Sequence, residues 1–403
     1  TAGRVRLIMA DTALVPDDGI TAGSRTTPST VPAVRRGAAT ACNLLTQLAA
    51  KKWNADGAAL KVQNGAIVNP ATNQKITYAD LAKSKDVAEA FNQSVPSDVT
   101  LTPVGEWKVM GASVARPNLR DLVTGAHHYP SDIQRPNMLY GKVLRPPSYG
   151  ATLESIDLSE AKAMKGVVVV HEDQFVGCAA PSLFLAGKAL KALAKGASWK
   201  TVPHPSSKNL SSHLKSNARG GRPRTSGSVD KGFADASTVL SETYEAAYLQ
   251  HTPMEPRAAV AEWSDGKLTA WVGVDGPQRA QSSLASAFRI PTDRVRVIVP
   301  DMGCGFGGKH TAEAGEEAAR LAKAAGRPVS VRWTRAEEFT WAYFRPATVI
   351  ECKGGLDANG KLIAWDFTNI NAGGSAIDTP YSIPNTSVSS VGSDSPLKQG
   401  AYR

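Results

Sequence analysis

The chain has 403 residues and a formal net charge of +10 at pH 7, and at roughly 100–200 residues per domain this length predicts two to four domains. With 42% hydrophobic and 20% charged residues, the composition is that of a globular protein and excludes a disordered or fibrous one. No apolar run approaches the roughly 18–20 residues of a membrane-spanning helix, and the positive charge permits an anionic ligand, nucleic acid or an acidic partner without choosing among them.

The cysteines are far apart in the sequence, at Cys42, Cys178, Cys304 and Cys352. Without a pair at C-x-x-C spacing, the chain is not expected to hold a zinc knuckle or an iron–sulfur cluster by itself. The chain also starts without Met and stops at Arg403 without a closing element. We therefore expect it to be an internal piece of a longer protein.

The first hundred residues predict a strand, one long helix and a hairpin. Residues 4–10 read as a strand, and residues 11–28 are rich in turn-forming residues and are expected to be a loop. Apolar residues at helical spacing predict an amphipathic helix over about residues 31–53. Asn64-Gly65 between two short apolar runs is a strong hairpin signal, and Thr77 is placed to cap a following helix.

A second unit starts near Asp121 and has the pattern of a small α/β domain. Its elements follow in the order strand, strand, helix, strand, helix. The predicted strands cover residues 138–143, 150–158 and 166–171, and the predicted helices cover residues 159–164 and 183–193.

A basic stretch follows. Between Asp173 and Asp230 there is no acidic residue, whereas nine Lys or Arg residues run from Lys188 to Arg224. A nucleic-acid tether has this composition, and so does a solvated linker or a strip that faces an acidic neighbour. We favour the linker or strip, because aromatic side chains that would stack on bases are nearly absent.

A third unit begins near Ser237 and mixes hairpins with helices. Asp265-Gly266 between two apolar runs predicts a second hairpin, and an Ala- and Glu-rich helix over residues 311–325 is closed by Gly326. Further strands are predicted over residues 295–299, 329–333, 348–352 and 362–369, and a helix over residues 280–288. Helices and strands mixed in this way predict an α+β or mixed α/β fold.

The most informative segment is a glycine loop, residues 301–310, between a predicted strand and a predicted helix. It has glycine at positions 303, 305, 307 and 308. Glycines let the backbone adopt positive φ and come close to a ligand, and a helix N-terminus favours an anion through its free N–H groups and its dipole. We therefore predict a phosphate-bearing cofactor at this loop, with a tight turn that needs glycines for packing as the alternative.

Two generic nucleotide motifs fit the loop poorly. Three of its glycines satisfy G-x-G-x-x-G, but the next strand is followed by Thr334-Arg335 where an acidic residue would hold the ribose of NAD; an Arg would tolerate NADP. A P-loop would need Ser or Thr where His310 stands. His310 and Glu313 offer two metal ligands without a third, so a metal site is disfavoured.

Residues 303–309, Gly-Cys-Gly-Phe-Gly-Gly-Lys, resemble the G-G-G-F-G-G-K signature of the molybdenum-containing hydroxylases, the xanthine dehydrogenase and aldehyde oxidase family. Residues 121–204 resemble the a/b hammerhead domain of that family, and residues 11–42 resemble a pterin-binding stretch of its second molybdenum-cofactor domain. This order resembles the branch that contains the β-subunit of isoquinoline 1-oxidoreductase. Further similar segments lie at residues 248–256, 322–329 and 333–345.

The resemblance implies a division of the chain into cofactor domains around a hammerhead. The implied division is 1–100, part of the second molybdenum-cofactor-binding domain; 101–120, a linker; 121–204, the a/b hammerhead domain; 205–235, a basic linker; and 236–403, the first molybdenum-cofactor-binding domain, truncated at its C-terminal end.

The resemblance also implies which residues bind the cofactor. In the glycine loop these are Gly305, Phe306, Gly307 and Gly308, with the backbone of Phe306 and Gly307 as hydrogen-bond donor to the metal's oxygen ligands. The phosphate region of the pterin would be held by Thr21, Ala22, Gly23 and Ser24. No residue of this chain is implied as a direct metal ligand.

Two further residues are implied at the reacting end of the site. Gln250 is similar to the family's Gln beside the apical oxygen, and Arg403 falls where some members place an Arg that faces the substrate. The family's catalytic base, a Glu near the C-terminus, lies outside this chain. Val274-Asp275-Gly276-Pro277 departs from the Thr-Gln that relatives often show before a Pro, so one contact on the cofactor side differs.

The function implied is that of a molybdopterin-binding subunit, with the cofactor as a cytosine dinucleotide. It would hydroxylate an N-heterocycle or an aldehyde with oxygen from water and pass electrons to [2Fe–2S] clusters on a partner small subunit, with a cytochrome c as one further acceptor. No nucleic-acid partner is expected. The alternatives are an NADP-dependent reductase that uses the glycine loop, and a basic, non-enzymatic binding fragment.

Overall fold

The computed structural model describes residues 5–92, 94–96 and 98–403. It has two compact units: the first contains the residues up to Ile8 together with Thr21–His127, and the second contains Met9–Ile20 and His128–Arg403. Across the described ranges, no helix combines the length and the apolar character needed to cross a membrane.

The first unit packs a long helix on a three-stranded antiparallel sheet. Ala49 and Ile67 are fully buried at this interface, and the sheet order is β1-β2-β3. Its helices and strands are α1 (Val31–Trp53), β1 (Lys61–Gln63), β2 (Ala66–Val68), β3 (Lys75–Thr77), α2 (Tyr78–Leu81), α3 (Lys85–Phe91) and α4 (Leu119–Thr124).

The local signals in this unit are confirmed, with one exception. The long helix has the predicted bounds, Asn64 and Gly65 have φ values of 49° and 77° in the β1–β2 turn, and Thr77 accepts a hydrogen bond from the Asp80 N–H at 3.1 Å. The predicted strand at residues 4–10 is wrong over its described part, residues 5–10; Arg4 lies outside the described residues. The apolar side chains of this segment stay exposed because no strand pairs along it.

The second unit is built on a seven-stranded mixed sheet with the order β13-β12-β11-β14-β4-β7-β6. The pairs β12–β13 and β14–β4 are parallel, and the other neighbours are antiparallel. These strands are β4 (Leu139–Val143), β6 (Val168–Glu172), β7 (Phe175–Ala180), β11 (Ala258–Ser264), β12 (Lys267–Val272), β13 (Val295–Ile298) and β14 (Val329–Arg332).

One face of this sheet carries the main hydrophobic core. Two helices cover it, α9 (Pro277–Phe288) and α10 (Glu313–Ala325). Leu321 of α10 is fully buried against Val329 and Val331 of β14. The predicted elements in this region, including the hairpin at Asp265-Gly266, are confirmed.

A smaller layer packs at the β7 side of the sheet. Two helices and a two-stranded antiparallel sheet share a core around Leu193 and Cys178. These elements are β5 (Thr152–Ile156), α5 (Ser159–Lys162), α6 (Leu183–Gly196) and β8 (Ala197–Lys200). The predicted strands and helices over residues 138–193 are therefore confirmed, with β7 and β8 added.

A five-stranded sheet with the order β10-β15-β16-β17-β9 completes the second unit. Helices α7 (Leu210–Ser216) and α8 (Val229–Ala234) pack on it, and a further helix, α11 (Arg335–Trp341), follows β14. The strands are β9 (Arg224–Ser226), β10 (Thr238–Ala246), β15 (Thr348–Leu356), β16 (Leu362–Ile370) and β17 (Asn385–Val391).

The expected basic linker at residues 205–235 is wrong, because this segment is folded. Leu214 of α7 is 1% exposed and packs with Val349 and Ile370, and β9 pairs with β17. Lys and Arg lie on the solvent side of these elements, which is why composition alone suggested a linker. Strands β4 and β14 pair directly, so residues on either side of this segment belong to one compact unit.

Candidate functional site

The glycine loop connects β13 to α10 and is fixed at both ends by side chains that come from elsewhere in the second unit. At its start, the Gly303 N–H donates to Oε1 of Glu255 at 3.2 Å. Lys309, at its end, donates from Nζ to the same oxygen at 3.2 Å and is fully buried. Burial lowers the pKa of Lys309, and the Glu255 carboxylate opposes that shift.

Arg257 stabilises the loop through a hydrogen bond and buried ion pairs. Its guanidinium, whose side chain is 2% exposed, forms ion pairs with Glu338 and with Glu313. The same guanidinium donates to the carbonyl oxygen of Gly308. It lies 5.3 Å from the ring centroid of Trp333. The loop is therefore held by a buried, neutralised group of charges.

Tyr343 forms hydrogen bonds with two residues at the C-terminal end of the loop. Its hydroxyl donates to the Gly307 carbonyl and accepts from the His310 N–H at 3.2 Å. Burial raises the pKa of Tyr343 to about 12. Tyr343 therefore keeps its proton and its donor role over the physiological pH range.

The glycines allow protein groups to pack against the loop. A Cβ on Gly308 would lie 2.7 Å from Cγ of His251, and one on Gly307 would lie 2.8 Å from the Arg403 N. Gly307 also has φ of +81°. We expected these glycines to admit a ligand; at these two positions they admit His251 and the chain at Arg403, which matches the packing alternative.

The apex of the loop is the part that remains open. Phe306 is 48% exposed and has φ of 53°. Among the described residues, the backbone N–H groups of Gly305, Phe306 and Gly307 have no hydrogen-bond acceptor. Successive N–H groups in a loop that contains positive φ values form a concave donor site for anions and oxygen ligands. This apex therefore fits a group with negatively charged oxygens.

A buried acid–base pair lies beside the apex. Nδ1 of His310 and Oδ2 of Asp275 are 3.0 Å apart, with side chains 14% and 9% exposed. Their orientation makes no aligned hydrogen bond, so both atoms are buried without a hydrogen-bond partner in the described structure. Burial raises the pKa of Asp275, and the nearby His310 acts against that shift. This pair can hold a proton next to Gly305.

The N-terminus of helix α10 carries negative charge of its own. Helix α10 begins only at Glu313, and its first turn carries the carboxylates of Glu313 and Glu316. Glu313 is paired with Arg257 and with Lys398. Carboxylates in the first turn already interact with the positive end of the helix dipole, so the helix N-terminus is less suited to a phosphate than the open apex of the loop. In the described ranges, no three His, Cys, Asp or Glu side chains are grouped to hold a metal.

Two of the predicted site residues lie close to the loop. Gln250 donates from Nε2 to the Ala342 carbonyl at 2.9 Å and accepts from the His251 N–H at 3.0 Å, so its amide is engaged by the backbone. The Arg403 N–H donates to the Phe306 carbonyl at 2.7 Å, while the residue itself is exposed. Thr21, Ala22, Gly23 and Ser24 belong to the first unit, in a turn in which the Arg25 N–H bonds the Ala22 carbonyl.

Sequence reasoning missed the side chains that fix the loop. These are Glu255, Arg257, Glu338 and Tyr343, and their partners are distant in the sequence. One signal was available: all except Arg257 lie within the segments 248–256 and 333–345 that carry the family resemblance, and Arg257 directly follows the first of these.

Two models described as molybdopterin cofactor-binding domains match the chain, over residues 212–396 and 1–127. A nicotinate dehydrogenase subunit of Pseudomonas putida is 29% identical over 90% of this chain and 31% of its own length. The beta subunit of isoquinoline 1-oxidoreductase of Brevundimonas diminuta is 27% identical over 86% of this chain and 50% of its own length. The chain thus spans half or less of the length of these relatives.

Solved structures show the same fold. Quinoline 2-oxidoreductase from Pseudomonas putida 86 has a TM-score of 0.62 at 24% identity, over 73% of this chain and 45% of that one. Aldehyde oxidoreductase from Desulfovibrio gigas has a TM-score of 0.63 at 19% identity, over 80% of this chain and 42% of that one. The predicted mixed α/β fold with molybdenum-cofactor-binding domains is confirmed.

Proposed function

Since the chain belongs to the molybdopterin-binding large subunits of the molybdenum hydroxylase family, we propose that it forms part of an oxidoreductase that hydroxylates an N-heterocycle or an aldehyde with oxygen from water. The bound group supplies a Lewis-acidic, redox-active molybdenum centre. The observation that carries the proposal is the open apex of the glycine loop, where successive N–H groups have no protein acceptor among the described residues.

The chain's own residues would hold and orient the group. The N–H groups of Gly305, Phe306 and Gly307 donate to its oxygens, and the exposed ring of Phe306 forms a wall of the site. Gln250 acts here as a positioning residue, because its amide fixes the backbone at His251 and Ala342. Because these contacts are made by the protein's own groups, they hold the donors in a fixed orientation toward the site.

Asp275 and His310 are proposed to hold the proton at the site. Asp275 lies beside Gly305, its carboxylate is 3.0 Å from Nδ1 of His310, and both side chains are largely withdrawn from water; burial raises the pKa of Asp275, which favours its protonated form. Arg403 is proposed to face the substrate, and Thr21, Ala22, Gly23 and Ser24 to contact the phosphate region of the pterin.

The nucleotide form of the cofactor and the identity of the partner subunit are also part of the proposal. We propose the cytosine dinucleotide form, and a [2Fe–2S] small subunit that takes the electrons. The scattered cysteines support a separate electron carrier: Cys178 is buried, and no metal-binding group of side chains is present in the described residues. A cytochrome c is one further acceptor class.

The structure does not favour an NADP-dependent reductase. Both terminal nitrogens of Arg335, the residue that would accept the 2′-phosphate, donate to backbone carbonyls, at 2.7 Å to Pro253 and 2.9 Å to Met254. The helix that would receive the pyrophosphate begins with Glu313. The basic stretch likewise forms parts of folded helices and strands, which removes the main support for a nucleic-acid tether.

Metal and cofactor analysis of the full-length protein with its partner subunits tests the proposal. We expect molybdenum in about one-to-one ratio with this chain, and release of a pterin cytosine dinucleotide on denaturation. A folded protein from a cofactor-producing host that contains no molybdenum, and whose tryptophan emission is quenched by NADPH, would overturn it.

A further inference from the structure

A recess separate from the open apex lies at the start of the glycine loop. It is a cavity of about 480 Å³ at the start of the loop, next to Gly303. Its walls include Tyr129, Ser131, Pro256 and Arg332. This volume is within the range of sites that bind small organic molecules, which is roughly 300–1,000 Å³.

Arg332 contributes a positive charge to the cavity that no acidic side chain of the described residues balances. It is the last residue of β14, and side chains alternate along a strand, so Arg332 and Ser330 share the face opposite to the core residues Val329 and Val331. Nε of Arg332 and Oγ of Ser330 are buried, and in the described structure neither has a hydrogen-bond partner. Buried polar atoms are nearly always hydrogen-bonded, so two such atoms on one strand indicate a missing partner.

No carboxylate within the described residues pairs with Arg332. Nζ of Lys142 donates to the Arg332 carbonyl at 3.2 Å and has no acidic partner in the described part of the chain, so it adds positive charge at this strand end. A guanidinium that is partly withdrawn from water without a counter-charge is costly. A bound anion would remove that cost.

The other charged groups that line the cavity are already neutralised. Glu255 is paired with Lys309 and also accepts from the Ser131 hydroxyl at 3.1 Å. Arg257 is paired with Glu338 and Glu313. The cavity is therefore left with one uncompensated positive side chain, that of Arg332.

We propose that this cavity binds the oxyanion group of a small ligand through the forked guanidinium of Arg332. Planar carboxylates and phosphates match the geometry of a guanidinium, which binds them through paired N–H groups. Tyr129, Met254 and Pro256 provide apolar contact for the rest of the ligand. The ligand is a small aromatic carboxylate or a phosphate-bearing molecule. The site needs no molybdenum, so this inference stands apart from the proposed function.

Calorimetric titration of the purified full-length protein tests the site with two probes, benzoate and inorganic phosphate, and with benzamide as the uncharged counterpart of benzoate. We expect at least one anion to bind, and benzamide to bind more weakly than benzoate. Tighter benzoate binding identifies a carboxylate ligand, and tighter phosphate binding identifies a phosphate ligand. Binding of neither anion by the folded protein overturns the inference.

Variants locate the binding. Arg332→Met should weaken binding of the preferred anion roughly tenfold or more, since it removes a charge-assisted pair of hydrogen bonds, and Arg332→Lys should retain part of the affinity. Arg327→Met is the matched control, because Arg327 is exposed, its Nε donates to the Asn137 carbonyl, and it does not line the cavity. Unchanged affinity in a folded Arg332→Met protein, or an equal loss in Arg327→Met, overturns the inference. If Arg332→Met does not fold, the Arg332→Lys titration decides by the same criterion.

Discussion

Arg257 and Glu338 are 81 positions apart in the sequence and form an ion pair in which both side chains are almost fully buried, with 2% and 1% exposed. The Arg257 N–H also donates to Oε2 of Glu338 at 2.8 Å. Because the same guanidinium holds the Gly308 carbonyl, the glycine loop depends on a buried charge pair. The conformation of the loop is therefore tied to the core of the second unit.

Glu338→Gln should strongly destabilise the protein. It leaves the buried Arg257 guanidinium with only the more distant Glu313 as a counter-charge, and breaking a buried pair in this way costs about 3–5 kcal/mol. Urea unfolding measures the loss. Glu160→Gln is the control, because Glu160 and its partner Lys195 are 57% and 80% exposed and such pairs contribute about 0–1 kcal/mol. Equal losses in the two variants would show that Arg257 does not need Glu338.

Gly308→Ala should destabilise the protein by about 1–3 kcal/mol, because its Cβ would lie 2.7 Å from Cγ of His251 and one of the two must move. Gly187→Ala is the matched control: no atom lies within 4 Å of its Cβ position, in the middle of α6. There Ala should stabilise the helix by about 0.5–1 kcal/mol. Thermal unfolding of both variants gives the comparison, and a neutral Gly308→Ala would contradict the packing we describe.

Tyr343→Phe removes one hydroxyl that serves two loop residues, Gly307 and His310. We expect a loss of about 1–3 kcal/mol in the free energy of unfolding, because buried backbone groups lose their partner. The ultraviolet titration should also lose part of the tyrosine ionisation step near pH 12. Tyr381→Phe, at a side chain that is 72% exposed, is the control and should leave the free energy of unfolding unchanged. A Tyr343→Phe protein with an unchanged titration would refute the assignment.

Asp11 should contribute to stability in a pH-dependent way. Its hydrogen bond with Arg296 holds the pKa of Asp11 below the ordinary value of 3.8, so the ionised carboxylate stabilises the fold above pH 3.8, and this contribution is lost as the pH falls through the lower folded value. Asp11→Asn should therefore cost roughly 1 kcal/mol or less at pH 7, since Arg296 is partly exposed to solvent. Unfolding curves of the variant and the parent protein should converge in strong acid; a constant difference would exclude this linkage.

The sequence predicted most of the helix bounds, turns and caps that depend on residues close together in the chain. The bounds of α1, the turns at Asn64-Gly65 and Asp265-Gly266, and the cap at Thr77 each depend on residues within a few positions of one another. The strand prediction for residues 5–10 was wrong, because an apolar run becomes a strand only when it can pair with a neighbouring strand. Strand β10 was not predicted, because nearly all of its residues are exposed at a sheet edge and show no apolar alternation.

The sequence identified the glycine loop as the candidate site but not the contacts that fix the loop. The glycine pattern identified the loop, and the family resemblance predicted the cofactor that the loop would bind. What approaches Gly308 and Gly307, however, is His251 and Arg403, and neither approach leaves a local trace in the sequence. The same holds for Asp275, which appeared only as a departure from a motif and proves to be paired with His310.

Amide hydrogen exchange tests the central claim most directly. The backbone N–H groups of Gly305, Phe306 and Gly307 should exchange more slowly in the molybdenum-loaded protein than in the cofactor-free protein, because they then donate to oxygens of the bound group. The turn at Asp265-Gly266, which lies outside the site, is the internal control and should exchange at one rate in both forms. Equal exchange at residues 305–307 with and without molybdenum would contradict the account.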